Sequence, residues 1–348
     1  MNAQIAAILA IDGIASGAIY VLIAIGLVLV FLVTRVLYVP FGDIAAFTVL
    51  TLAALETGQV PGTIWLVGVL AVLASVIETV SLLRVRRAAL VPRALLFYLL
   101  LPLIPAAFAW FAAPLGLGML ARILIALLLI LPIAPLLDRI VFRPIADASV
   151  LLLLIVALAL HFALAGFGLL FFGPEGVRTQ PLADARFEFF GVILSLQTVL
   201  VVGAAVVFSG LLFLFFEFTI AGKALRATSV NRTGARLVGI RPARAGTIAY
   251  LLASVLAGVS GVLIGPVTTI FYDSGFLIGL KAFVGSIFGV LASYPMTALG
   301  AVLVGLLESF ASFWSSAFKE VIVFSILIPV LLWRSYTVGE IEEEEAEE

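Results

Sequence analysis

Long apolar runs separated by short polar segments make up most of the chain. A helix that crosses a bilayer needs about 20 mainly apolar residues. The runs predict ten or eleven such helices, near residues 5–30, 43–56, 62–83, 95–113, 119–138, 148–172, 192–216, 246–270, 276–292, 296–315 and 320–337. The second and the ninth are short, so each is predicted to be either a full crossing or a re-entrant or broken helix whose ends are covered by other helices. The pattern therefore predicts an all-α polytopic membrane protein.

The composition strengthens this prediction. Of the 348 residues, 64% are hydrophobic and 11% are charged, whereas a soluble domain has about 45–50% apolar and about 25% charged residues. A soluble globular protein is thereby excluded. Cysteine is absent, which excludes disulfides and thiolate chemistry. His161 is the one histidine; we interpret it as a packing residue without nearby carboxylates, and we expect no metal site.

Charge is distributed unevenly along the chain. Seven of the 20 acidic residues lie within residues 340–348, a tail that cannot bury apolar surface and is predicted to be disordered. The first 339 residues carry a net charge of +6. With the N-terminus outside and all the spans crossed, 14 of the 19 basic residues fall in cytoplasmic segments. The excess of positive charge predicts an external N-terminus and a cytoplasmic C-terminus.

The longest predicted cytoplasmic connection runs over residues 217–245 and contains six basic residues. Its first part, Gly222–Ala227, is predicted to continue the preceding membrane helix into the cytosol. A second short helix is predicted to begin at Asn231, an N-cap residue type, and to stop at Gly239, which suits the position after a helix end. On composition alone, the segment is equally consistent with a solvated basic loop.

Several segments, taken together, resemble a known family. Within the loop, the matching residues are Gly222, Lys223, Ala224, Arg226, Ala227, Leu237, Gly239 and Ile240. Elsewhere, the matching segments are Gly17–Tyr20, Ala24–Leu27, Phe142–Pro144, Phe172–Glu175, Gly279–Val284, Gly305–Glu308 and Trp333–Arg334. Over about 280 residues in family order, the chain resembles the branched-chain amino acid permeases of ABC importers, and among these the shorter of the two permease types.

The resemblance implies a fold, a location and a set of partners. It implies a permease of a bacterial or archaeal cell (inner) membrane that works with a second permease, homologous or identical, two cytosolic ATPase subunits and an external solute-binding protein. ATP-Mg would be held by the ATPases, and no cofactor by this chain. The surroundings would be membrane lipid, and no nucleic acid is expected. The loop would couple to the ATPase through Gly222, Lys223, Arg226, Asn231, Arg232, Leu237, Val238 and Gly239.

The sequence also departs from the family. The turn Tyr38–Asp43 keeps only a glycine and an acid of the family's pattern, and a glycine-rich stretch is thinned to Gly289–Ser293. Residues 66–118 are predicted to be a helical insertion, and the acidic tail is foreign to the family. We therefore predict one permease domain over residues 1–339, followed by the tail at 340–348. The departures bear on the substrate more than on the class of transporter.

Charged side chains within spans are costly to bury, so they mark either a pathway or a structural ion pair. Asp43 and Lys281 are each predicted to open a short helix, where free N–H groups can bind a carboxylate. Together with Glu308, they are the candidates for the translocation path. The alternative for each of them is a purely structural role.

The remaining buried acids have structural interpretations. Glu78 is predicted to pair with Arg84, and Asp138 with Arg139, because each acid lies close in sequence to a basic residue near an inner helix end. Asp12 and Glu56 lie near outer helix ends and are expected to face water. No group of acids is expected to converge.

Two other classes of function compete with the importer. A membrane-embedded enzyme is suggested by Gly258–Gly261, which resembles the G-x-S-G of rhomboid proteases, but no histidine follows it and a serine without a base is a weak nucleophile. Such small residues more often permit close helix packing, and Gly13–Gly17, Gly261–Gly265 and Gly285–Gly289 are each predicted to form a G-x-x-x-G contact face. An ATP-independent secondary transporter or channel would usually show repeats or mid-membrane coupling charges, and neither is clear. The only Gly-Lys pair lacks the rest of a P-loop, so another chain must hydrolyse ATP.

The substrate is predicted from the walls of the spans, which are mainly aliphatic with few charges. Such walls suit a zwitterion with an aliphatic side chain better than a sugar or a polyvalent anion. Leucine-, isoleucine- or valine-like solutes are therefore expected, with short amides or urea as the next choice.

Overall fold

The structure is a computed structural model that describes residues 3–183, 185–189, 192–326, 328–330 and 332. The predicted acidic tail at 340–348 and the segment Trp333–Arg334 lie outside the described residues. Within them, the helices are α1 Ala3–Thr34, α2 Phe41–Glu56, α3 Thr63–Arg84, α4 Ala88–Leu115, α5 Met119–Ile145, α6 Val150–Phe172, α7 Leu196–Phe218, α8 Ile220–Val230, α9 Arg232–Leu237, α10 Pro242–Ile264, α11 Ser274–Phe288, α12 Tyr294–Trp314 and α13 Lys319–Ser325. The strands are β1 Arg186–Phe189 and β2 Val192–Ser195.

The predicted all-α polytopic membrane fold is confirmed. Among the described residues, eight helices are long and apolar enough to cross a membrane, namely α1, α3, α4, α5, α6, α7, α10 and α12. The second and ninth predicted spans are indeed short, since α2 has 16 residues and α11 has 15. Of the eleventh predicted span, the structure describes α13 and a few residues beyond it.

The chain divides into two compact units, each built from separate stretches of sequence. The central unit consists of Leu29–Leu182 and Leu211–Leu277, and the terminal unit of Met1–Val28, Ala183–Gly210 and Ile278–Glu348. The prediction of one permease domain over residues 1–339 stays a prediction.

In the central unit, the short helix α2 is enclosed by longer helices. Every side chain from Phe41 to Leu52 is buried, and α2 packs against α10, α5 and α6. A Cβ added at Gly261 of α10 would lie 2.6 Å from Thr48 Cβ, so glycine is required for this close approach. Covering a short apolar helix in this way satisfies the rule that irregular backbone at membrane depth must be buried in protein.

In the terminal unit, small residues set the distance between α1 and α12. A Cβ at Gly13 would lie 2.8 Å from Leu306 Cα, and one at Gly17 would lie 2.7 Å from Val302 Cα. Gly305 faces Gly17 directly. The prediction that the G-x-x-x-G segments form helix contacts is confirmed here, because a side chain at any of these positions would push the two backbones apart.

A two-stranded antiparallel hairpin precedes α7, with Arg186 paired to Ser195 and Phe189 to Val192. The prediction that a helix begins at residue 192 is therefore wrong. Ser195 explains where the helix starts instead, because its hydroxyl accepts a hydrogen bond from the Thr198 N–H at 3.2 Å. This is the N-cap arrangement that satisfies a free donor in the first turn.

Candidate functional site

The predicted coupling loop contains two short helices, α8 and α9, between α7 and α10. The prediction that Gly222–Ala227 continues the membrane helix is wrong, because the chain breaks at Thr219 and α8 is a separate helix. The Thr219 hydroxyl caps α8 by accepting the Gly222 N–H at 2.9 Å. A Cβ at Gly222 would lie 2.6 Å from Phe216 Cα, so the break requires glycine at this position.

Both predicted ends of α9 are confirmed. At its start, the Asn231 side chain accepts the Gly234 N–H at 2.8 Å. At its end, Gly239 adopts a φ of 86°, and the N–H of Ile240 bonds back to the Ala235 carbonyl at 3.0 Å. This six-to-one hydrogen bond with a left-handed glycine is the Schellman arrangement. The end of α9 is therefore set by local chemistry.

The far side of the α8–α9 pair carries exposed apolar side chains. Leu237 is 84% exposed and Val238 76% exposed, while Leu225 and Ala235 are buried on the side that packs inward. Two neighbouring exposed aliphatic residues at the end of a capped helix leave apolar surface without a partner among the described residues.

The charged residues of the loop differ in their surroundings. Lys223 and Asn231 are exposed. Arg226 is 61% exposed at its side chain and forms a long ion pair with Glu217, at 3.4 Å; such surface pairs contribute little to stability. Arg232 instead faces a cavity next to the start of α10.

Asp43 of the candidate path lies in the first turn of α2, as predicted, and is 2% exposed. Both of its carboxylate oxygens lie 2.9 Å from His161 Nδ1 on α6. The interpretation of His161 as a residue without nearby carboxylates is therefore wrong. Residues 118 positions apart in the sequence are brought together by the packing of α2 on α6, and Phe276 stacks on the imidazole with ring centres 4.8 Å apart.

The turn before Asp43, which departs from the family, is part of the core of the central unit. Tyr38 is completely buried. Its ring lies edge-on to Tyr250, with centres 5.1 Å apart, and to Phe142, with centres 5.7 Å apart. The Tyr38 side chain, which differs from the family's pattern, thus packs between aromatic rings and holds the turn before α2 in place.

Lys281 and Glu308, the other two candidates for the path, form a buried ion pair in the terminal unit. Lys281 Nζ lies 2.6 Å from Glu308 Oε1 and 3.1 Å from Glu320 Oε1. The Tyr20 hydroxyl donates to the second oxygen of Glu308 at 2.5 Å. The expectation that no acids converge is wrong, since two carboxylates meet at one ammonium group.

The predicted position of Lys281 is also wrong. Helix α11 begins at Ser274, so Lys281 lies two turns inside it and not at a free helix start. Its charge is therefore balanced by Glu308 and Glu320. Tyr20 and Glu320 were missed as members of this cluster, because helix packing across long sequence separations brings them to Lys281.

The other predicted ion pairs form with different partners. Arg139 pairs with Glu78 at 2.5 Å, and Arg143 with Asp138 at 3.0 Å. Residues one or six positions apart in a helix point in different directions, whereas the observed partners share a face or belong to packed helices. Asp12 is exposed, as expected.

Glu56 has a specific partner at the C-terminal end of α2. Its carboxylate oxygens accept the backbone N–H of Gln180 at 3.2 and 3.3 Å. The expectation that Glu56 simply faces water is therefore incomplete.

A cavity of about 240 Å³ in the terminal unit presents opposite charges. Asp12 and Arg186 line it together with two hydroxyl groups and three aliphatic side chains, those of Ser195, Thr198, Ile8, Ile11 and Leu194. Among the described residues, neither Asp12 nor Arg186 forms an ion pair within 4.0 Å. The cavity can therefore offer one acidic and one basic group to a small solute.

The candidate residues described above form packing contacts and ion pairs, and they do not form a catalytic group. Within the described part of the chain, no three His, Asp or Glu residues are grouped as metal ligands. The Ser260 hydroxyl is completely buried and donates to the Leu256 carbonyl at 2.7 Å, within its own helix.

Comparisons with known proteins agree with this geometry. The model of the family described as "branched-chain amino acid transport system / permease component" matches residues 9–331. The high-affinity branched-chain amino acid transport system permease protein LivH of Escherichia coli K12 is 28% identical over 205 residues, which cover 56% of this chain and 66% of LivH. BraD of Pseudomonas aeruginosa is 28% identical over 204 residues, covering 57% and 66%.

A third relative comes from an archaeon. The probable branched-chain amino acid transport permease protein LivH of Methanocaldococcus jannaschii is 29% identical over 234 residues, covering 62% of this chain and 70% of the relative. The first relatives are thus matched over just under two thirds of their length. No solved structure matches the chain.

Proposed function

The chain belongs to the family of branched-chain amino acid transport permease components, and from this premise we propose that it is the transmembrane permease subunit of an ABC importer. It forms a translocation path for branched-chain or related amino acids. The family match over residues 9–331 and the eight long apolar helices support this assignment.

The observation that carries the proposal is the capped α8–α9 pair with its exposed apolar side chains. A solvated linker has no need for a helix capped at both ends that holds Leu237 and Val238 in water. Apolar surface of this kind is stabilised by burial against a partner, at about 25 cal/mol per Å² removed from water. We therefore assign α9 as the dock for a cytosolic ATPase.

The partners follow from this assignment. Two ATPase subunits bind ATP-Mg, a second permease (homologous or identical) completes the path, and an external solute-binding protein delivers the solute. ATP binding draws the ATPases together, moves α8 and α9, and switches the path between outward and inward access as a rigid-body transition. This chain contributes the path and its two-state packing.

The proposed substrate is an aliphatic amino acid. The family description supports this class. The Asp12–Arg186 cavity also supports it, because an α-amino acid carries one ammonium and one carboxylate group, and the aliphatic side chains of Ile8, Ile11 and Leu194 line the same space. A sugar would need many more paired hydrogen-bonding groups.

Uptake by the reconstituted system tests the proposal. Vesicles containing this chain with its permease, ATPase and binding-protein partners are expected to accumulate labelled leucine only with ATP, and isoleucine and valine should compete. Urea and a sugar serve as parallel solutes. Sugar uptake without competition by leucine would contradict the substrate class, and uptake without ATP would indicate an ATP-independent transporter.

The proposed location is the bacterial or archaeal cell membrane, with the N-terminus outside and the C-terminus in the cytoplasm. The uneven distribution of basic residues supports this orientation. Because the chain has no cysteine, single cysteines can report on each side. Gln180 and Val230 are both exposed, so cysteines there should react readily.

In intact spheroplasts, a membrane-impermeant maleimide is expected to label Gln180→Cys but not Val230→Cys. Val230→Cys should react only after the membrane is permeabilised. Labelling of both variants from the same side would contradict the topology.

A further inference from the structure

A cavity of about 830 Å³ in the central unit is lined by arginines from three segments of the chain. They come from the end of α5, from α9 and from the residue directly before α10, and two aspartates lie with them. The charged residues that line the cavity are Arg143, Arg232, Arg236, Arg241, Asp138 and Asp147.

Arg143 is already satisfied by protein groups. Its guanidinium donates to Asp138 at 3.0 Å, to the Tyr98 hydroxyl at 3.3 Å and to the Ala243 carbonyl at 3.2 Å, and it also contacts the Thr247 hydroxyl. The Arg143–Asp138 pair therefore adds no net charge to the cavity.

The other three arginines have no ion-pair partner within 4.0 Å among the described residues. Asp147 is the one further acid lining the cavity, so the lining keeps an excess of two positive charges. Arg232 Nε is enclosed and has no hydrogen-bond partner in the described part of the chain. Enclosing such a donor without an acceptor costs free energy, which an anionic ligand would recover.

The backbone adds to the positive potential. The first turn of α10, a helix of 23 residues, borders the cavity through Pro242 and Ala243, next to the N-cap residue Arg241. The dipole of a helix start favours a negative charge nearby. Pro242 carries no N–H, and the Arg244 N–H already bonds to the Arg241 carbonyl at 3.0 Å, so the contribution of α10 is its dipole. The helix start and the three unpaired guanidiniums thus act on the same space.

We propose that this cavity binds a phosphate group. Guanidinium forks match phosphate oxygens in geometry and charge, and a cavity of about 830 Å³ accommodates far more than one carboxylate. Val33, Val36 and Phe142 form an apolar side of the cavity. The phosphate is carried either by an anionic phospholipid headgroup, with its glycerol and acyl stem along this apolar side, or by a soluble phosphate compound.

A bound phosphate would link α9 to α10. Arg232 and Arg236 belong to α9, and Arg241 directly precedes α10, so one anion between them holds α9 in place. If α9 is the ATPase dock, a premise that rests on the proposed function, the anion would stabilise the docking position. Binding itself depends only on this chain and is measured without any ATPase.

The test uses the purified full chain in nanodiscs of phosphatidylcholine. One arm adds phosphatidylglycerol and counts the bound lipids by native mass spectrometry. A second arm titrates inorganic phosphate and follows the thermal unfolding midpoint. Saturable binding of phosphatidylglycerol identifies a lipid headgroup, and saturable binding of inorganic phosphate identifies a soluble ligand.

The charge-matched variants separate a built site from a diffuse basic surface. The double variant Arg232→Gln/Arg241→Gln is expected to weaken binding about tenfold or more, because each lost charge-assisted hydrogen bond alone accounts for about that factor. The control Arg226→Gln/Arg244→Gln removes the same charge from exposed residues outside the lining and should change binding less than about twofold.

Equal weakening by both double variants would overturn the proposal. So would the absence of saturable binding of either probe to the unaltered chain, an outcome that does not depend on whether the variants fold. Neither result bears on leucine uptake, so this inference and the proposed function fail separately.

Discussion

Replacing Lys281 with methionine is expected to lower the free energy of unfolding by about 3–5 kcal/mol. The Lys281 side chain is 7% exposed and that of Glu308 15% exposed, so removing the ammonium leaves Glu308 and Glu320 facing each other in a poorly solvated place. Methionine keeps most of the volume, so the loss reflects the uncompensated charges and not a cavity. The measurement is the unfolding of the purified chain in detergent, by denaturant and by heat.

Lys319→Met is the matched control, since Lys319 lies in the same cluster. Its side chain is 37% exposed and stands 3.9 Å from Glu308 and 3.8 Å from Glu320, so its loss should cost no more than about 1 kcal/mol. Adding Glu308→Gln to Lys281→Met should recover part of the stability, because one buried charge is removed with its partner. If the two lysine variants unfold alike, Lys281 is not a structural counter-ion.

Replacing Gly239 with valine is expected to abolish most of the coupling between ATP hydrolysis and uptake while leaving membrane insertion intact. Gly239 has a φ of 86°, and this left-handed conformation costs a residue with a side chain about 1–2 kcal/mol. The strain falls on the hydrogen bonds that end α9, so Leu237 and Val238 would leave the position proposed for docking. The measurements are stimulated ATPase activity and leucine uptake in reconstituted vesicles.

Gly239→Asn is the control at the same position. A Cβ at Gly239 meets nothing within 4 Å, so both substitutions fit sterically, but asparagine tolerates the left-handed conformation far better than a β-branched residue. Uptake by Gly239→Asn should therefore remain near that of the unaltered chain. Full coupling in the valine variant would mean that α9 is a linker and not the dock.

Local features of this chain could be predicted from its sequence. The spans followed from hydropathy, and the ends of α9 from Asn231 and Gly239, because each cap is completed by groups a few residues away. The close contact of α1 with α12 followed from Gly13 and Gly17, because small residues in a membrane helix allow two backbones to approach closely. The break at Thr219 was missed, because an apolar helix and its polar continuation share one periodic pattern.

The partners of buried charges were decided by the tertiary structure alone. Asp43 meets His161 across 118 positions, and Arg139 meets Glu78 across 61. The sequence suggested no partner for Asp43, and it pointed Arg139 to the neighbouring Asp138. Hydropathy also assigned Val192–Ser195 to a helix, although pairing with β1 makes it a strand. Composition and pattern thus determined that the chain crosses a membrane and where its helices lie, because the bilayer acts on each segment separately. Which side chains meet depended on how the helices pack, and that is set by the whole chain at once.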